Sequence, residues 1–312
     1  MKILHVGLTV NGRGEGLSKA FKKASSEYFE LPVSPNLKGA LASVPFQPDI
    51  IFLQIQSGEI GGAPTVEILR EYLASKDCYK LNWTGDMRST TPVWMRQLSP
   101  FVSETGFTNY RDVESLGSSG IFLQIGIDPE VFKIHDEKEA GEDVVFMGNN
   151  YGNQFPNGQF RRDLARWLIA RGYGVYGSYQ GSKGALNPDP RNPFPVQSRE
   201  SKIYNNSKIA ISVSHYKEKG YTSDRLLRAM GSGCFTLAQY YPGIEDDFKI
   251  GEHLDTFSTI YDLEEKINTY LSANDLRNKI AKAGYEYVHS NFTYDNMVER
   301  IIKQYESWKR EH

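Results

Sequence analysis

The sequence predicts an α/β protein made of two domains in which strands and helices alternate. Three observations support this class. The chain has 312 residues, more than one typical hydrophobic core requires. Short apolar runs rich in β-branched residues alternate with segments of helical periodicity in both halves. A strand, a polar loop and a helix follow one another between Ile209 and Phe235, and repeats of that unit build parallel sheets.

Composition excludes several classes of protein. Hydrophobic residues make up 39% of the chain, and no apolar run approaches the ~18 residues of a membrane span. Residues 1–135 carry 13 basic and 14 acidic side chains, and residues 136–312 carry 23 and 24, so neither half is a basic nucleic-acid module. Cys78 and Cys234 form no metal or disulfide pattern, and Met1–Gly7 resembles a first strand rather than a signal peptide. We therefore expect a cytoplasmic protein.

The first strand, Ile3–Gly7, leads into a glycine-rich loop and then a helix. Glycines at such a junction let the backbone approach a ligand closely, which makes Gly12 and Gly14 candidate ligand-binding residues. An ordinary flexible loop is the alternative. The glycine spacing departs from G-x-G-x-x-G, so we do not expect a dinucleotide cofactor.

A second candidate site follows the predicted strand Tyr79–Trp83, where Asp86 comes just after the strand ends. Open α/β sheets place their ligands and chemistry at the carboxyl ends of the strands. Asp86 is therefore a candidate catalytic base or acceptor-hydroxyl ligand, and a turn-capping aspartate is the alternative.

The charged, aperiodic segment 133–143 predicts a domain boundary. We expect a first domain over 1–135, a second over 143–292 and a terminal helix over 293–312. In the second domain, Gly148 and Asn149 follow the first predicted strand, and Gly177 ends the second.

A helix is predicted after the first of these strands, with Phe160, Leu164, Trp167 and Leu168 on its apolar face. Arg161, Arg162 and Arg166 then lie off that face. They belong to a local basic excess, because residues 151–202 contain eight basic and three acidic side chains. The excess is a candidate for binding an anionic acceptor, with a solvated helix face as the alternative.

The stretch from Ile209 to Phe235 is the most informative in the chain. The apolar run Ile209–Val213 predicts a buried strand. A polar loop follows from His215 to Tyr221, and then come the candidate N-caps Thr222, Ser223 and Asp224. The following helix carries Arg225 and Arg228 at i, i+3. Free N–H groups at a helix start together with a guanidinium form an anion site, whereas two solvated arginines on a surface helix are the alternative.

The order of these features resembles the donor half of the GT-B glycosyltransferases. It is most similar to their CgeB-like, or spore-maturation-like, branch. The resemblance covers about 144–305 and rests on T-S-D-R-L-L-R-A-M-G-S-G, then Y-P-G-I-E-D-D-F and G-E-H-L, followed by paired helices. In the first half, N-W-T-G-D-M-R looks like the W-x-x-D segment of that branch, and G-I-D-P-E-V-F looks like the end of a GT-B N-domain.

The resemblance implies two Rossmann-like domains facing a cleft, with the terminal helix crossing back to the first. It implies transfer of a sugar from a nucleotide-sugar donor to an acceptor hydroxyl, with retention of configuration and no further cofactor. From the residues themselves we expect no required metal, because the carboxylates and the six histidines show no metal-ligand spacing. Asp86 and Arg225 are the expected catalytic residues. The expected donor-binding residues are Gly12, Gly14, Gly148, Asn149, Gly177, His215, Tyr221, Thr222, Ser223, Asp224, Arg225 and Arg228.

One residue departs from the resemblance. Relatives have R-x-x-E-A-M, whose glutamate holds the nucleotide ribose, whereas this chain has Arg228 at that position. We expect Arg225 and Arg228 to face one pocket, with charged donor atoms between them. The alternatives are a nucleotide-sugar epimerase of the same fold and a non-catalytic nucleotide-sugar binding protein. A glycan, a small molecule and a hydroxymethylated DNA base all remain open as acceptors.

Overall fold

The structure is a computed structural model that describes residues 1–7, 15–55, 59–60, 63–137, 139–184 and 196–312. Gly12 and Gly14 lie outside the described residues. The chain divides into two compact units, the first made of Met1–Gly126 with Tyr294–His312 and the second of Ile127–Thr293. The segment between Ile127 and His135 thus packs with the second unit, and Ile127 N donates to Phe292 O at 2.8 Å within that unit.

The first unit contains a six-stranded sheet in the order β2-β1-β3-β6-β7-β8, with every neighbouring pair parallel. A separate antiparallel pair joins β4 to β5. The strands are β1 (Lys2–Gly7), β2 (Glu27–Pro32), β3 (Ile50–Gln54), β4 (Glu59–Ile60), β5 (Ala63–Pro64), β6 (Tyr79–Thr84), β7 (Glu104–Phe107) and β8 (Gly120–Phe122).

Helices cover both faces of this sheet, because its strands are apolar on both sides. They are α1 (Glu15–Ala24), α2 (Leu37–Ala42), α3 (Thr65–Ala74), α4 (Val93–Leu98), α5 (Tyr110–Ser115) and the terminal α12 (Tyr294–Glu311), with 3-10 turns at Ser99–Phe101 and Gly117–Ser119. The terminal helix buries Met297, Val298 and Ile301 in the same core as Phe21 of α1.

The second unit contains a five-stranded parallel sheet in the order β10-β9-β11-β12-β13. Its elements are β9 (Val144–Met147), α6 (Gly158–Ala170), β10 (Gly174–Tyr176), α7 (Val196–Asn206), β11 (Ile209–Ser212), α8 (Asp224–Gly231), β12 (Phe235–Gln239), α9 (Ile244–Asp247), β13 (Asp255–Phe257), α10 (Ile260–Ser272) and α11 (Asn274–Asn291). The predicted α/β class with two parallel-sheet domains is confirmed. Among the described residues, no helix is both long and apolar enough to cross a bilayer.

Candidate functional site

The strand order of the second unit marks one place where a ligand can bind. From β9 the chain crosses through α6 to β10 on one side, whereas β11 pairs with the other side of β9 and leads on to β12. Ligands of open α/β sheets bind outside the carboxyl ends of the two strands where the order reverses. Here those strands are β9 and β11, which end at Met147 and Ser212.

Two of the predicted glycines bring the backbone together at this edge. Gly148 N donates to Tyr176 O at 2.9 Å. Gly177 has φ 141°, and a Cβ there would collide with the Gly148 carbonyl. A Cβ at 148 would in turn collide with the guanidinium of Arg161. A side chain at 177 would therefore clash with backbone, whereas one at 148 would require the Arg161 guanidinium to move.

Arg161 is the main correction to the sequence analysis, which placed it off the apolar face of its helix. Its side chain is 1% exposed, and its Nη1 donates to Val213 O, just past β11. Its Nε and Nη2 are buried without a hydrogen-bond partner among the described residues. The guanidinium lies 5.3 Å from the centre of the Phe146 ring. Arg161 thus spans the carboxyl ends of both strands at the reversal point.

No carboxylate compensates the Arg161 charge among the ion pairs of the described residues. Burial, and next the positive charge of Arg225, lower the pKa of Arg161 to about 10, although the hydroxyls of Tyr179 and Tyr151 partly offset this. A buried cation without an anion is costly, since burial of an unpaired charge loses its hydration. The arrangement is therefore suited to a bound anion.

Arg225 contributes a second guanidinium from the first turn of α8. Its side chain is 23% exposed, and its Nη1 lies 3.8 Å from Asp224 Oδ1. Burial alone would raise the pKa of Asp224, but Arg228 and Arg225 outweigh it and hold that pKa below its usual value. Burial would lower the pKa of Arg225, but Asp224 and neighbouring tyrosines outweigh it and raise that pKa. Among the described residues, Arg225 therefore keeps its charge with a loosely held partner, Asp224.

Arg228 is held more tightly than Arg225, by two carboxylates of the chain. Its Nη2 lies 3.0 Å from Asp224 Oδ2, and its Nη1 donates to Glu200 Oε2 of α7 at 3.2 Å. The guanidinium also lies 5.4 Å from the centre of the Phe132 ring. Burial raises the pKa of Glu200, and Arg228 opposes that shift. Glu200 and Asp224 thus supply the anion that we expected the donor to place beside Arg228.

His215 lies close to both guanidiniums of the site. Its ring centre is 4.5 Å from that of Phe155, and its Nδ1 is buried without a hydrogen-bond partner among the described residues. Burial, followed by the charges of Arg161 and Arg225, lowers the pKa of His215 to about 3. The imidazole is therefore neutral at physiological pH, so it adds a polar group without adding charge.

The other predicted donor residues of the second unit have local partners. Thr222 is buried and shares a 2.7 Å hydrogen bond with the Tyr241 hydroxyl, so it faces the interior. Ser223 is the N-cap of α8, but its side chain makes no cap hydrogen bond. The Asn149 carbonyl accepts from the Tyr179 hydroxyl at 3.3 Å. Tyr221 is partly buried, with its ring 6.2 Å from that of Tyr216.

Asp86 belongs to the first unit. It is exposed, two residues after the end of β6, and its carbonyl accepts from the Thr84 hydroxyl at 3.4 Å. Thr108 donates to the neighbouring Gly85 carbonyl at 3.3 Å, which ties this turn to the residue after β7. The side chain of Asp86 thus lies at the carboxyl edge of its own sheet, where the sequence placed it.

The sequence analysis missed Arg161 and Glu200 as members of the site. A signal for Arg161 was present, because it has i, i+3, i+4 and i+7 spacing with Leu164, Ala165 and Leu168, all of which are buried. No comparable local signal exists for Glu200. The described residues contain no group of three or more histidine, cysteine or carboxylate side chains placed to hold a metal ion.

Comparison with known proteins agrees with this architecture. Residues 160–303, somewhat less than half of the chain, match a family described as glycosyl transferase-like. No curated protein matches the chain in sequence.

Solved structures match over nearly the whole length. An alpha-glucosyltransferase in complex with UDP and a 13-mer DNA has a TM-score of 0.71 at 11% identity, covering 98% of this chain and 99% of that one. Sucrose-phosphate synthase from Thermosynechococcus elongatus has a TM-score of 0.70 at 9% identity, covering 100% of both chains. Anabaena HepE in complex with UDP and glucose has a TM-score of 0.63 at 12% identity, covering 98% and 100%. The chain therefore has the fold of the GT-B glycosyltransferase structures.

Proposed function

We propose that this protein is a glycosyltransferase that binds a nucleotide-sugar donor in its second unit and transfers the sugar to an acceptor hydroxyl. The observation that carries the proposal is Arg161, a buried guanidinium at the reversal point of the sheet that forms no ion pair with a carboxylate among the described residues. A diphosphate is an anion of the right chemistry for such a guanidinium with Arg225 close by. UDP is the nucleotide that we propose first, because two structures of the same fold were solved with it.

In the proposed reaction, the bond between the sugar and the diphosphate breaks and negative charge develops on the leaving oxygen. Arg161 and Arg225 are fixed positive charges in a largely water-free setting, so they stabilise that charge more in the transition state than in the ground state. His215 is neutral and offers a polar nitrogen to the donor. Departure of the diphosphate then needs no metal ion in this proposal, and we propose retention of configuration from the CgeB-like resemblance.

Asp86 is the proposed acceptor-side residue, as a base or as a ligand for the acceptor hydroxyl. It is an exposed carboxylate at the carboxyl edge of the first unit's sheet. A glycan, a small molecule and a modified DNA base stay as acceptor candidates, and one relative of the same fold was solved with DNA. We also propose a cytoplasmic location, where the buried free thiols of Cys78 and Cys234 stay reduced.

The test is a donor panel. Purified protein is incubated with UDP-, GDP- and TDP-sugars, with and without candidate acceptors, and free nucleotide and sugar identity are measured. Acceptor-dependent nucleotide release supports transfer. Interconversion of the donor sugar would instead indicate an epimerase, and binding without any reaction would indicate a binding protein.

Arg225→Ala tests the diphosphate contact directly. We expect it to lose about 2–4 kcal/mol of transition-state stabilisation, the scale of one oxyanion donor. Alanine favours a helix, so the fold is expected to persist. The control is Arg171→Ala, because Arg171 lies in the same unit, is 37% exposed and pairs with Glu264 on the helix α10. Wild-type turnover by a folded Arg225→Ala protein would exclude the proposed role of Arg225.

A further inference from the structure

Three aromatic rings form one cluster beside the two guanidiniums. We call Tyr151, Phe155 and His215 the aromatic wall. The ring centres of Tyr151 and His215 are 5.2 Å apart, those of Tyr151 and Phe155 are 5.5 Å apart, and both pairs meet edge to face. The Tyr151 side chain is 46% exposed, although exposed aromatic surface is unfavourable in water.

The aromatic wall is held in place by hydrogen bonds between the two loops that carry it. Asn157 Nδ2 donates to Ser214 O at 2.8 Å and to Gln239 Oε1 at 2.6 Å. Asn157 N donates to His215 O at 3.1 Å. Arg162 donates to the carbonyl of Gly152, the residue after Tyr151. The loop after β9 is therefore fastened to the loop after β11 and to Gln239, the last residue of β12, and Tyr151 is presented by a fixed backbone.

The aromatic wall also adjoins the anion site. Arg161 Nη1 donates to the carbonyl of Val213, two residues before His215. Arg161 N also donates to the Asn157 carbonyl at 3.1 Å, and Asn157 N in turn donates to His215 O. A group bonded directly to a phosphate at Arg161 therefore lies within reach of these rings. In a nucleotide sugar, the donor sugar is bonded directly to the terminal phosphate, whereas the base is separated from its phosphate by the ribose.

We infer that the aromatic wall is the subsite for the donor sugar, and that Tyr151 stacks on the apolar C–H face of a pyranose. This inference rests on the proposed function. The face of an aromatic ring carries negative charge density, and the C–H bonds of a pyranose present a weakly positive apolar face. The unpartnered Nδ1 of His215 can bond a sugar hydroxyl on the same side. Tyr151 would then select for the sugar and not for the nucleotide.

The experiment compares UDP with UDP-glucose, using calorimetry on wild type, Tyr151→Ala and Tyr151→Phe. We expect Tyr151→Ala to weaken UDP-glucose about 5- to 30-fold, as loss of one ring contact would, and to leave UDP unchanged. Tyr151→Phe keeps the ring and should bind both ligands like the wild type. The matched control is Tyr261→Ala, because the Tyr261 side chain is 72% exposed at the start of α10.

The two affinities measured for Tyr151→Ala either support or overturn the sugar subsite. Equal weakening of UDP and UDP-glucose by Tyr151→Ala would overturn the inference, since the ring would then support the nucleotide. Unchanged affinity for both ligands would overturn it as well. Failure of the proposed function gives a different result: the wild-type protein itself would neither bind nor release any nucleotide across the donor panel. Near-ultraviolet circular dichroism of Tyr151→Ala confirms that any loss is not due to misfolding.

Discussion

Replacing Arg161 by methionine separates a binding role from a structural one. Methionine fills a similar length of buried space without charge, so the variant removes the guanidinium and keeps packing against Phe146. If Arg161 is there to bind a diphosphate, the variant should lose donor binding and keep its stability. If Arg161 only supports the fold, the variant should lose stability instead.

The size of the stability change follows from three opposing contributions. Depression of the Arg161 pKa to about 10 corresponds to roughly 3 kcal/mol of unfavourable folding free energy, at about 1.4 kcal/mol for each tenfold change. Methionine relieves that cost. It also leaves the Val213 carbonyl without its donor, at about 1–3 kcal/mol, and removes a cation–π contact of about 0.5–2 kcal/mol. The net change in free energy of unfolding is therefore expected to stay within about 2 kcal/mol of zero.

The expected change in activity is larger. Loss of one preorganised charge on the leaving group costs about 2–4 kcal/mol, which is about a 30- to 1,000-fold fall in kcat/KM. Denaturant unfolding measures the first quantity, and donor-dependent nucleotide release measures the second. Tm with added UDP gives a third readout, because a ligand that binds the folded state raises Tm. UDP should raise the Tm of wild type and not that of the variant.

Arg166→Met is the matched control, since Arg166 is on the same helix with its side chain 72% exposed and paired with Asp163. It should behave like wild type in all three measurements. A marked loss of stability in Arg161→Met, together with unchanged kcat/KM and an unchanged response to UDP, would refute the reasoning. Arg161 would then be a structural residue that carries its burial cost for packing alone.

Three further predictions concern other members of the site. The folded chain holds the pKa of His215 at about 3, so between pH 6.5 and 3 the unfolded chain takes up this proton and the folded chain does not. Stability is therefore lost as pH falls through this range. His215→Asn should flatten the fall of Tm between pH 6.5 and 4 in calorimetry, and an unchanged slope would contradict this. Arg228→Glu places a third carboxylate beside Glu200 and Asp224, so the free energy of unfolding measured in urea should fall by about 3–5 kcal/mol. The variant should also bind the donor more weakly. Tighter donor binding would show instead that position 228 faces the ribose. Asp86→Asn should reduce transfer, while calorimetry should find a donor affinity near that of wild type. The control is Asp77→Asn, because Asp77 lies just before β6 and Asp86 just after it. An equal loss of donor affinity would indicate that Asp86 is a donor contact or a structural cap.

Local signals in the sequence were sufficient for the elements around the site. The strand predicted over Ile209–Val213 forms over Ile209–Ser212, and the helix predicted from Arg225 begins at Asp224. A β-branched apolar run and a glycine-rich helix end each act over a few residues, so their effect is visible in one sequence, whereas Ser223 occupies the N-cap position without making a cap hydrogen bond. The α/β class followed from the same local signals repeated along the chain.

Arg161 was misplaced because its chemistry and its position gave opposite indications. Its spacing with Leu164, Ala165 and Leu168 put it on the buried face, but an arginine is almost never fully buried without a partner. A prediction based on apolar residues alone therefore left Arg161 off the buried face and placed Phe160 and Trp167 on it, although these two are only partly buried. In this helix, position on the face was the better indicator of burial, and residue type was misleading.

The partner of Arg228 could not be predicted from local sequence at all. Glu200 is 28 residues away on α7, and it meets Arg228 only after two helices pack together. Without it, Arg225 and Arg228 are two like charges at helical spacing that need an external anion. With Glu200 and Asp224 in place, one arginine of the pair is already neutralised by the chain.

The distribution of carboxylates within the second unit is itself an argument for where the charge of the proposed donor would bind. The chain neutralises Arg228 with two carboxylates, at 3.0 Å and 3.2 Å, although Arg228 is 21% exposed and partly hydrated. Arg161 is far more buried and would gain more from an anion, yet it has none among the described ion pairs. Stability alone would favour the opposite distribution, because an unpaired charge costs more the deeper it lies. A carboxylate beside Arg161 would compete with a diphosphate for the same guanidinium, so its absence is what a donor site requires.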